Sequence, residues 1–334
     1  MSALQVERPR DHEQAIARLR QSYAAVPVGA PIRLAKRTSN LFRPRAATRS
    51  PALDVSGLDG VLWVDPETRT ADVQGMCTYE RLVDATLPHG LMPLVVPQLK
   101  TITLGGAVSG LGIESTSFRH GLPHESVIEM DVFTGAGEIV TARPDGEHAE
   151  LFAAFPNSMG SLGYATRLRI ELAPVRPYVA LRNVRFTDLD ELVAAIHEVM
   201  TTYSYGGEQV DAMDGVMFSA GESYLVLGSF VDDVPEVSDY TGQSIYYRSL
   251  RQRTRDALTI HDYLWRWDTD WFWCSRAFGV QHPVIRRLWP ARYRRSDVYH
   301  RLVRLEHRYG IAARLNRWAG RPPRERVVQD VEIP

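Results

Sequence analysis

One stretch restricts the fold of this chain more than any other: Thr101-Ile-Thr-Leu-Gly-Gly-Ala-Val-Ser-Gly-Leu-Gly-Ile-Glu-Ser-Thr-Ser-Phe-Arg-His-Gly-Leu122. Glycine loses more conformational freedom on folding than any other residue, so this density is kept only where bare backbone is needed. Close approach of a pyrophosphate or a flat ring to backbone N–H groups is one such need. A bulged strand pair with tight turns is the structural alternative. A second stretch, Lys36-Arg-Thr-Ser-Asn40, follows a short strand and offers hydroxyls, an amide and two cations. Alone it reads as a capping segment; together the two stretches read as opposite walls of a phosphate cleft.

The 334 residues suffice for about two ordinary domains. With 44% hydrophobic and 24% charged residues, the chain is neither disordered nor a coiled coil. Thirty-nine Lys+Arg against 40 Asp+Glu leave a net charge of -1, which excludes a whole-chain polyanion binder. Cys77 and Cys274 build no disulfide framework and form no CxxC zinc pair, so they read as thiols in a reducing compartment. The start, MSALQVERPRDHEQ, lacks the apolar core of a signal peptide, and no run of about 18 apolar residues exists. The expected location is cytoplasmic, at most peripheral to the inner face of a membrane. Lys36 and Lys100 are the only lysines among many arginines, which codon bias explains.

Patterning predicts an α+β fold. A helix N-capped by Asp11 runs to about residue 24, and a strand covers 31–34. Strands at 60–65 and 70–74 flank a turn, Thr78 caps a helix over 79–87, and a strand covers 91–96. A hairpin, 127–134 and 138–141, turns through Gly135-Ala-Gly137. That GxG opens no helix, so neither a Rossmann unit nor a Walker loop is present. A helical turn over 151–155 and a strand over 164–172 precede Pro174 and Pro177, where a boundary divides 1–175 from 176–334. The second part reads strand 180–186, helix 189–203, strands 209–219 and 224–230, an open-faced sandwich lacking further elements. Residues 248–326 hold 19 Arg against seven acids, and Trp265, Trp267, Trp271 and Trp273 fall within nine residues. These tryptophans read as core. The rival reading is a membrane-facing patch through the Trp/Arg-rich region 260–295, because Trp beside Arg suits a headgroup boundary. The last residues, 327–334, alternate like a strand and stop, which predicts a truncated protein.

Val95-Val-Pro-Gln-Leu-Lys-Thr-Ile-Thr-Leu-Gly-Gly-Ala-Val-Ser-Gly-Leu-Gly-Ile-Glu-Ser-Thr-Ser resembles the second FAD loop of the vanillyl-alcohol-oxidase/p-cresol-methylhydroxylase flavoproteins. Gly110-Leu-Gly-Ile-Glu-Ser-Thr-Ser-Phe-Arg-His-Gly-Leu122, Lys36-Arg-Thr-Ser-Asn-Leu-Phe-Arg43 and Val-Val-Gln-Asp at 327–330 are similar to the delta-24-sterol reductase (24-dehydrocholesterol reductase) branch. The resemblance implies a two-subdomain FAD-binding (PCMH-type) domain followed by an incomplete α+β cap domain. It assigns Lys36, Arg37, Thr38, Ser39 and Asn40 to the pyrophosphate. Thr103, Gly105, Gly106, Gly110, Gly112 and Ile113 would line the facing wall, with Ser115 near the flavin and Gly163 in a later contact strand. Relatives bind FAD covalently through a histidine in the first loop; none stands at 36–40, so non-covalent FAD is expected.

The implied reaction reduces a carbon–carbon double bond in the side chain of a sterol-like or other lipid by hydride from flavin N5, with NADPH as electron donor. Cap arginines would meet the NADPH 2′-phosphate. An isolated alkene also needs a proton, which a carboxylic acid in an apolar pocket supplies. Glu114 is the first candidate acid and His120 the second. The alternative reading of Glu114 is a carboxylate that merely receives backbone hydrogen bonds. The alternative activity is an oxidase or dehydrogenase of an alcohol, which needs a base. His120 and His124 are separated by Gly121 and Pro123, which break any helix, so no metal pair is expected.

Overall fold

The computed structural model describes residues 9–36 and 50–310, together with positions 314, 317, 318 and 320. Helix α1 (Pro9–Ala24) starts before Asp11, which therefore lies in the first turn and not at the cap. Its Ala15, Ile16 and Leu19 pack on Leu53, Val55, Leu58 and Phe133. Strands β1 (Arg33–Leu34) and β2 (Ala52–Leu53) pair in parallel. Next come β3 (Val61–Asp65), β4 (Thr70–Gln74), α2 (Tyr79–Thr86) and β5 (Leu91–Pro93). Thr78 caps α2 through its hydroxyl, which accepts the Arg81 N–H at 3.4 Å. The strand expected over 91–96 stops at Pro93, whose ring removes the N–H a longer ladder would use.

The glycine-rich stretch forms a short helix, α3 (Leu104–Gly110), then a loop and one helical turn, α4 (Ser117–His120); it is not a bulged strand pair. The hairpin β6 (Val127–Phe133) and β7 (Ile139–Ala142) turns at Gly137 with φ 82°. Helix α5 (Ala149–Ala154) and the long strand β8 (Tyr164–Pro174) follow. The six-stranded sheet runs β3-β4-β8-β6-β7, with β5 joined to β8, and its pairings are antiparallel. On β8, Arg167 bonds to Asp72, Glu129 and Asp131 of the two neighbouring strands. Burial alone would raise Glu129 and Asp131, but the hydrogen bonds and charge of Arg167, joined by Arg143 at Glu129 and Thr141 at Asp131, together outweigh it and hold both below the usual carboxylate range.

Beyond Pro174 the backbone enters β9 (Tyr178–Phe186), α6 (Leu189–Thr202) and a small hairpin, β10 (Ser204–Tyr205) and β11 (Glu208–Gln209). Strands β12 (Ala212–Ser219) and β13 (Glu222–Val231), helix α7 (Tyr246–Ser249), strand β14 (Arg255–Thr259) and helix α8 (Ile260–Leu264) complete the part that shapes the site. The second sheet runs β12-β13-β9-β14, antiparallel throughout. Strand β14 comes from the arginine-rich region and was not expected from its charge. The sheet is also not open-faced. Leu225 and Leu227 face α6 with Ala195 and Val199. Tyr224 and Val226, on the opposite face, join Tyr246, Tyr263, Trp265 and Trp267 in a cluster continuous with the core of the first sheet. The unbroken apolar run Tyr224-Leu-Val-Leu227 is the pattern of a strand buried on both faces.

Asp188 caps α6, its Oδ1 accepting the N–H groups of Asp190 at 2.9 Å and Glu191 at 3.1 Å. Asp188→Ala should cost about 1 kcal/mol in urea unfolding, with the native circular dichroism unchanged. Trp265, Trp267 and Trp271 are buried as the core reading required, whereas Trp273 is 63% exposed. No described helix is long and apolar enough to cross a membrane. The alternating residues 327–334 lie outside the described residues.

Candidate cofactor cradle and buried charged cluster

Thr103 starts the site. It is buried, and its Oγ1 accepts the Gly106 N–H at 3.3 Å, so its hydroxyl serves as the cap of α3. Gly105 donates its N–H to the Gly75 carbonyl at 2.9 Å, and a Cβ there would lie 2.7 Å from that oxygen. Gly75 is tighter still: its Cβ would stand 1.8 Å from the Ala165 carbonyl oxygen. These two glycines let α3 lie directly on the sheet, so Gly105 is bare for packing.

Gly106 is half-buried, and a Cβ there would lie 2.8 Å from the capping Thr103 Oγ1 and 4.0 Å from Lys36 Nζ. The tip of Lys36 therefore lies beside the first turn of α3, which brings the start of the first stretch to the second. Arg37, Thr38, Ser39 and Asn40 lie outside the described residues. Gly110 lies at the far end of α3, where among the described residues an added Cβ would meet only Met159 Sδ, at 3.7 Å. Leu111 turns the backbone with φ 56°, and Gly112 passes between Pro97 and Pro123. Ile113 is 71% exposed, and Met159, whose N–H donates to the Ser109 carbonyl at 2.8 Å, is 70% exposed. Gly163 is different. It is buried with φ 134°, and a Cβ would sit 2.4 Å from the Phe133 carbonyl oxygen. Residues 160–163 form a turn into β8 and not a strand, and Gly163 packs that turn against β6.

The result is a strip of bare backbone with a lysine at one end and an apolar lip at the other. Those are the components that a diphosphate joined to a flat ring requires. The residues present fit FAD.

Below Ile113 the backbone turns inward. Glu114 Oε1 accepts Arg266 Nη2 at 2.8 Å, and the same nitrogen donates to Asp214 Oδ2 at 2.7 Å. Arg266 Nη1 donates to the Tyr263 carbonyl at 2.7 Å, and its guanidinium lies 3.9 Å from the centre of the Tyr263 ring. Tyr263 OH donates to Ser115 Oγ at 3.0 Å, and the Met213 N–H to the Ser115 carbonyl at 2.7 Å. Ser115 is thus a junction between the glycine-rich loop, β12 and the aromatic segment. Burial pushes the Glu114 carboxyl above the ordinary range against the pull of Arg266, and Asp214 adds to the push. Burial alone would lower Arg266, but Tyr263, Glu114 and Asp214 outweigh it and keep the guanidinium charged.

Glu114 therefore has a guanidinium partner that neither sequence reading of this residue contained. Arg266, Asp214 and Tyr263 had no local motif to mark them. The available signals were a lone acid in the run Ala212-Met-Asp-Gly-Val-Met217 and an arginine between two tryptophans. Burial and then Arg119 hold the half-buried His120 imidazole below the ordinary histidine range. Among the described residues no hydrogen bond joins His120 to the Glu114 cluster, and no group of three His, Cys, Asp or Glu side chains is placed to hold a metal.

Residues 3–143 match the profile of the family described as FAD binding domain. The class that fold, cradle and profile resemble is that of the FAD-binding oxidoreductases. Within it the protein resembles the Delta(24)-sterol reductases. It is 24% identical to Delta(24)-sterol reductase of Pisum sativum over 263 residues, which is 75% of this sequence and 41% of the relative. To the Homo sapiens Delta(24)-sterol reductase it is 27% identical over 188 residues, 56% and 35% of the two sequences. Cytokinin dehydrogenase 2 of Oryza sativa subsp. japonica is 38% identical over 113 residues, 34% and 20% of the two sequences. The matches thus span about two fifths or less of these curated relatives.

Proposed function

We propose that this protein is an FAD-dependent oxidoreductase that reduces a carbon–carbon double bond in the side chain of a sterol-like or other lipid, with electrons from NADPH. The observation that carries the reading is the segment from Gly106 to Ile113, with glycine at 106, 110 and 112 and Ile113 exposed at its end, and with Lys36 Nζ beside its first turn. Lys36, Gly106, Gly110, Gly112 and Ile113 would hold FAD non-covalently, with Arg37, Thr38, Ser39 and Asn40 continuing the first wall. Bound there, FAD supplies a two-electron redox centre. Residues 1–175 would form the FAD domain and 176–334 a cap over the substrate.

The protein's own contribution to the chemistry is a proton. Glu114 lies directly below the lip, and its buried Oε2 has no hydrogen-bond partner among the described residues. A carboxyl pushed toward its protonated form by burial suits alkene reduction, whereas alcohol oxidation needs a base. This favours the reductase over the dehydrogenase reading. His120 is the second candidate donor, and its lowered affinity for a proton makes it the weaker acid store. Within 273–293, Trp273, Val284, Leu288 and Tyr293 are exposed alongside Arg276, Arg287 and Arg292. That composition supports peripheral contact with a lipid surface.

The absorbance spectrum of the purified protein after incubation with FAD tests the reading. Flavin bands should co-elute with the protein, and NADPH should bleach them in stopped flow, followed by recovery on adding a Delta(24)-sterol. Absence of bound flavin defeats the whole reading. Bleaching by an alcohol and not by NADPH transfers it to the dehydrogenase.

A further inference from the structure

Three separate elements meet at Arg266: the loop after α3 brings Glu114, β12 brings Asp214, and the aromatic segment after α8 brings the guanidinium itself. The side chains of Arg266 and Glu114 are 1% and 3% exposed, and that of Asp214 is 12% exposed. Tyr263 lies under the guanidinium and Tyr246 has its ring centre 5.8 Å away, while Trp267 Nε1 donates to Asp214 Oδ2 at 3.0 Å. None of these neighbours carries positive charge. One cation therefore serves two carboxylates. With every group ionised the cluster would hold a net negative charge away from water, a costly state.

The two acids are not equivalent. Asp214 Oδ2 takes hydrogen bonds from both Arg266 and Trp267. Glu114 Oε1 takes its side-chain hydrogen bond from Arg266 alone among the described residues; Glu114 Oε2 and Asp214 Oδ1 are both buried and unpartnered there, so the difference lies in the second donor, Trp267, that Asp214 has. We propose that Asp214 is a positioning residue which, by sharing Arg266, leaves a proton on Glu114 at neutral pH and so makes the cluster a proton store under the lip of the cradle. Burial and the Asp214 charge both push the Glu114 carboxyl up, in the direction this requires. That the proton is stored follows from the cluster alone; that it serves the alkene rests on the function proposed above.

Infrared spectra of the protein at neutral pH test the store. The wild type should show the carbonyl stretch of a neutral carboxyl, and that stretch should be missing from the Glu114→Gln variant. Asp214→Asn, which preserves the shape of the side chain, should lose it as well, because Glu114 then has Arg266 to itself and ionises. Asp268, whose carboxyl is also raised by its burial, is unchanged in both variants, so any signal it gives cancels in the difference spectra. A wild type without the Glu114 band, or an Asp214→Asn variant that keeps it, overturns the proposal. Asp214→Ser replaces Asp214→Asn should the latter not fold.

Thermal unfolding gives an independent reading. A carboxyl raised on folding contributes stability that is complete below its ordinary value of 4.5 and lost as the pH climbs through its folded value. The wild type should therefore lose more stability than Asp214→Asn between acid and neutral pH, and equal slopes count against the store. Sterol turnover separates the two readings. If Asp214→Asn lacks the band yet keeps the wild-type rate and pH profile, the store stands and the role of Glu114 in catalysis falls.

Discussion

Gly110→Val should give a folded protein that no longer retains FAD. Gly110 ends α3 in an ordinary helical conformation, and among the described residues only Met159 Sδ lies within 4 Å of an added Cβ. Valine is a better helix former than glycine, so the fold should be unharmed or slightly more stable. In the cradle, however, the branched side group would occupy the approach to bare backbone. Overpacking of this kind costs about 1–3 kcal/mol, which weakens binding by roughly fivefold to more than a hundredfold. Flavin absorbance per mole of protein and calorimetric titration with FAD measure the loss, with the melting temperature as control. Wild-type flavin content would remove Gly110 from the cradle. Gly105→Val serves as the contrast, since its Cβ would meet the Gly75 carbonyl and the fold itself should suffer.

Arg266→Met should be the most damaging single change in the second half. It leaves Glu114 and Asp214 facing each other without the cation between them. Removing one partner from a buried ionic group costs about 3–5 kcal/mol, a large part of a stability of roughly 5–15 kcal/mol. Combining it with Glu114→Gln and Asp214→Asn should recover much of that loss, because no carboxylate then remains to be neutralised. Urea denaturation of the single and triple variants decides the matter. A single-variant cost below about 1 kcal/mol would mean that the cluster behaves as a solvated surface pair. Since Ser115 and Glu114 lie next to Ile113, the Arg266→Met variant should also release FAD more readily than the wild type.

Much of the architecture could be read from local pattern. The Thr78 cap, the Gly135-Ala-Gly137 hairpin turn and the alternation along β8 are short-range features, and each appears where the residues predicted it. The elements that sequence reading missed depend on distant partners. Strand β14 is rich in charge and becomes a strand because β9 offers it an edge. The second sheet looked open because α6 accounts for only one of its faces; the other is covered by tryptophans and tyrosines that come later in the sequence. In the site, Arg266 lies 152 positions from Glu114 and 52 from Asp214, so no local spacing could announce the cluster.

Residue identity alone determined where the backbone is bare, where single cations stand, and that helix and strand alternate around an apolar interior. It did not determine what each bare position is for. Gly105 and Gly163 have no Cβ because a neighbouring backbone carbonyl fills that space, whereas at Gly110 no described backbone does. Only the tertiary structure separates these cases, since the distance from a Cα to its neighbour depends on which remote segments pack together. The same holds for Glu114, whose charge depends on the guanidinium and carboxylate that folding brings to it.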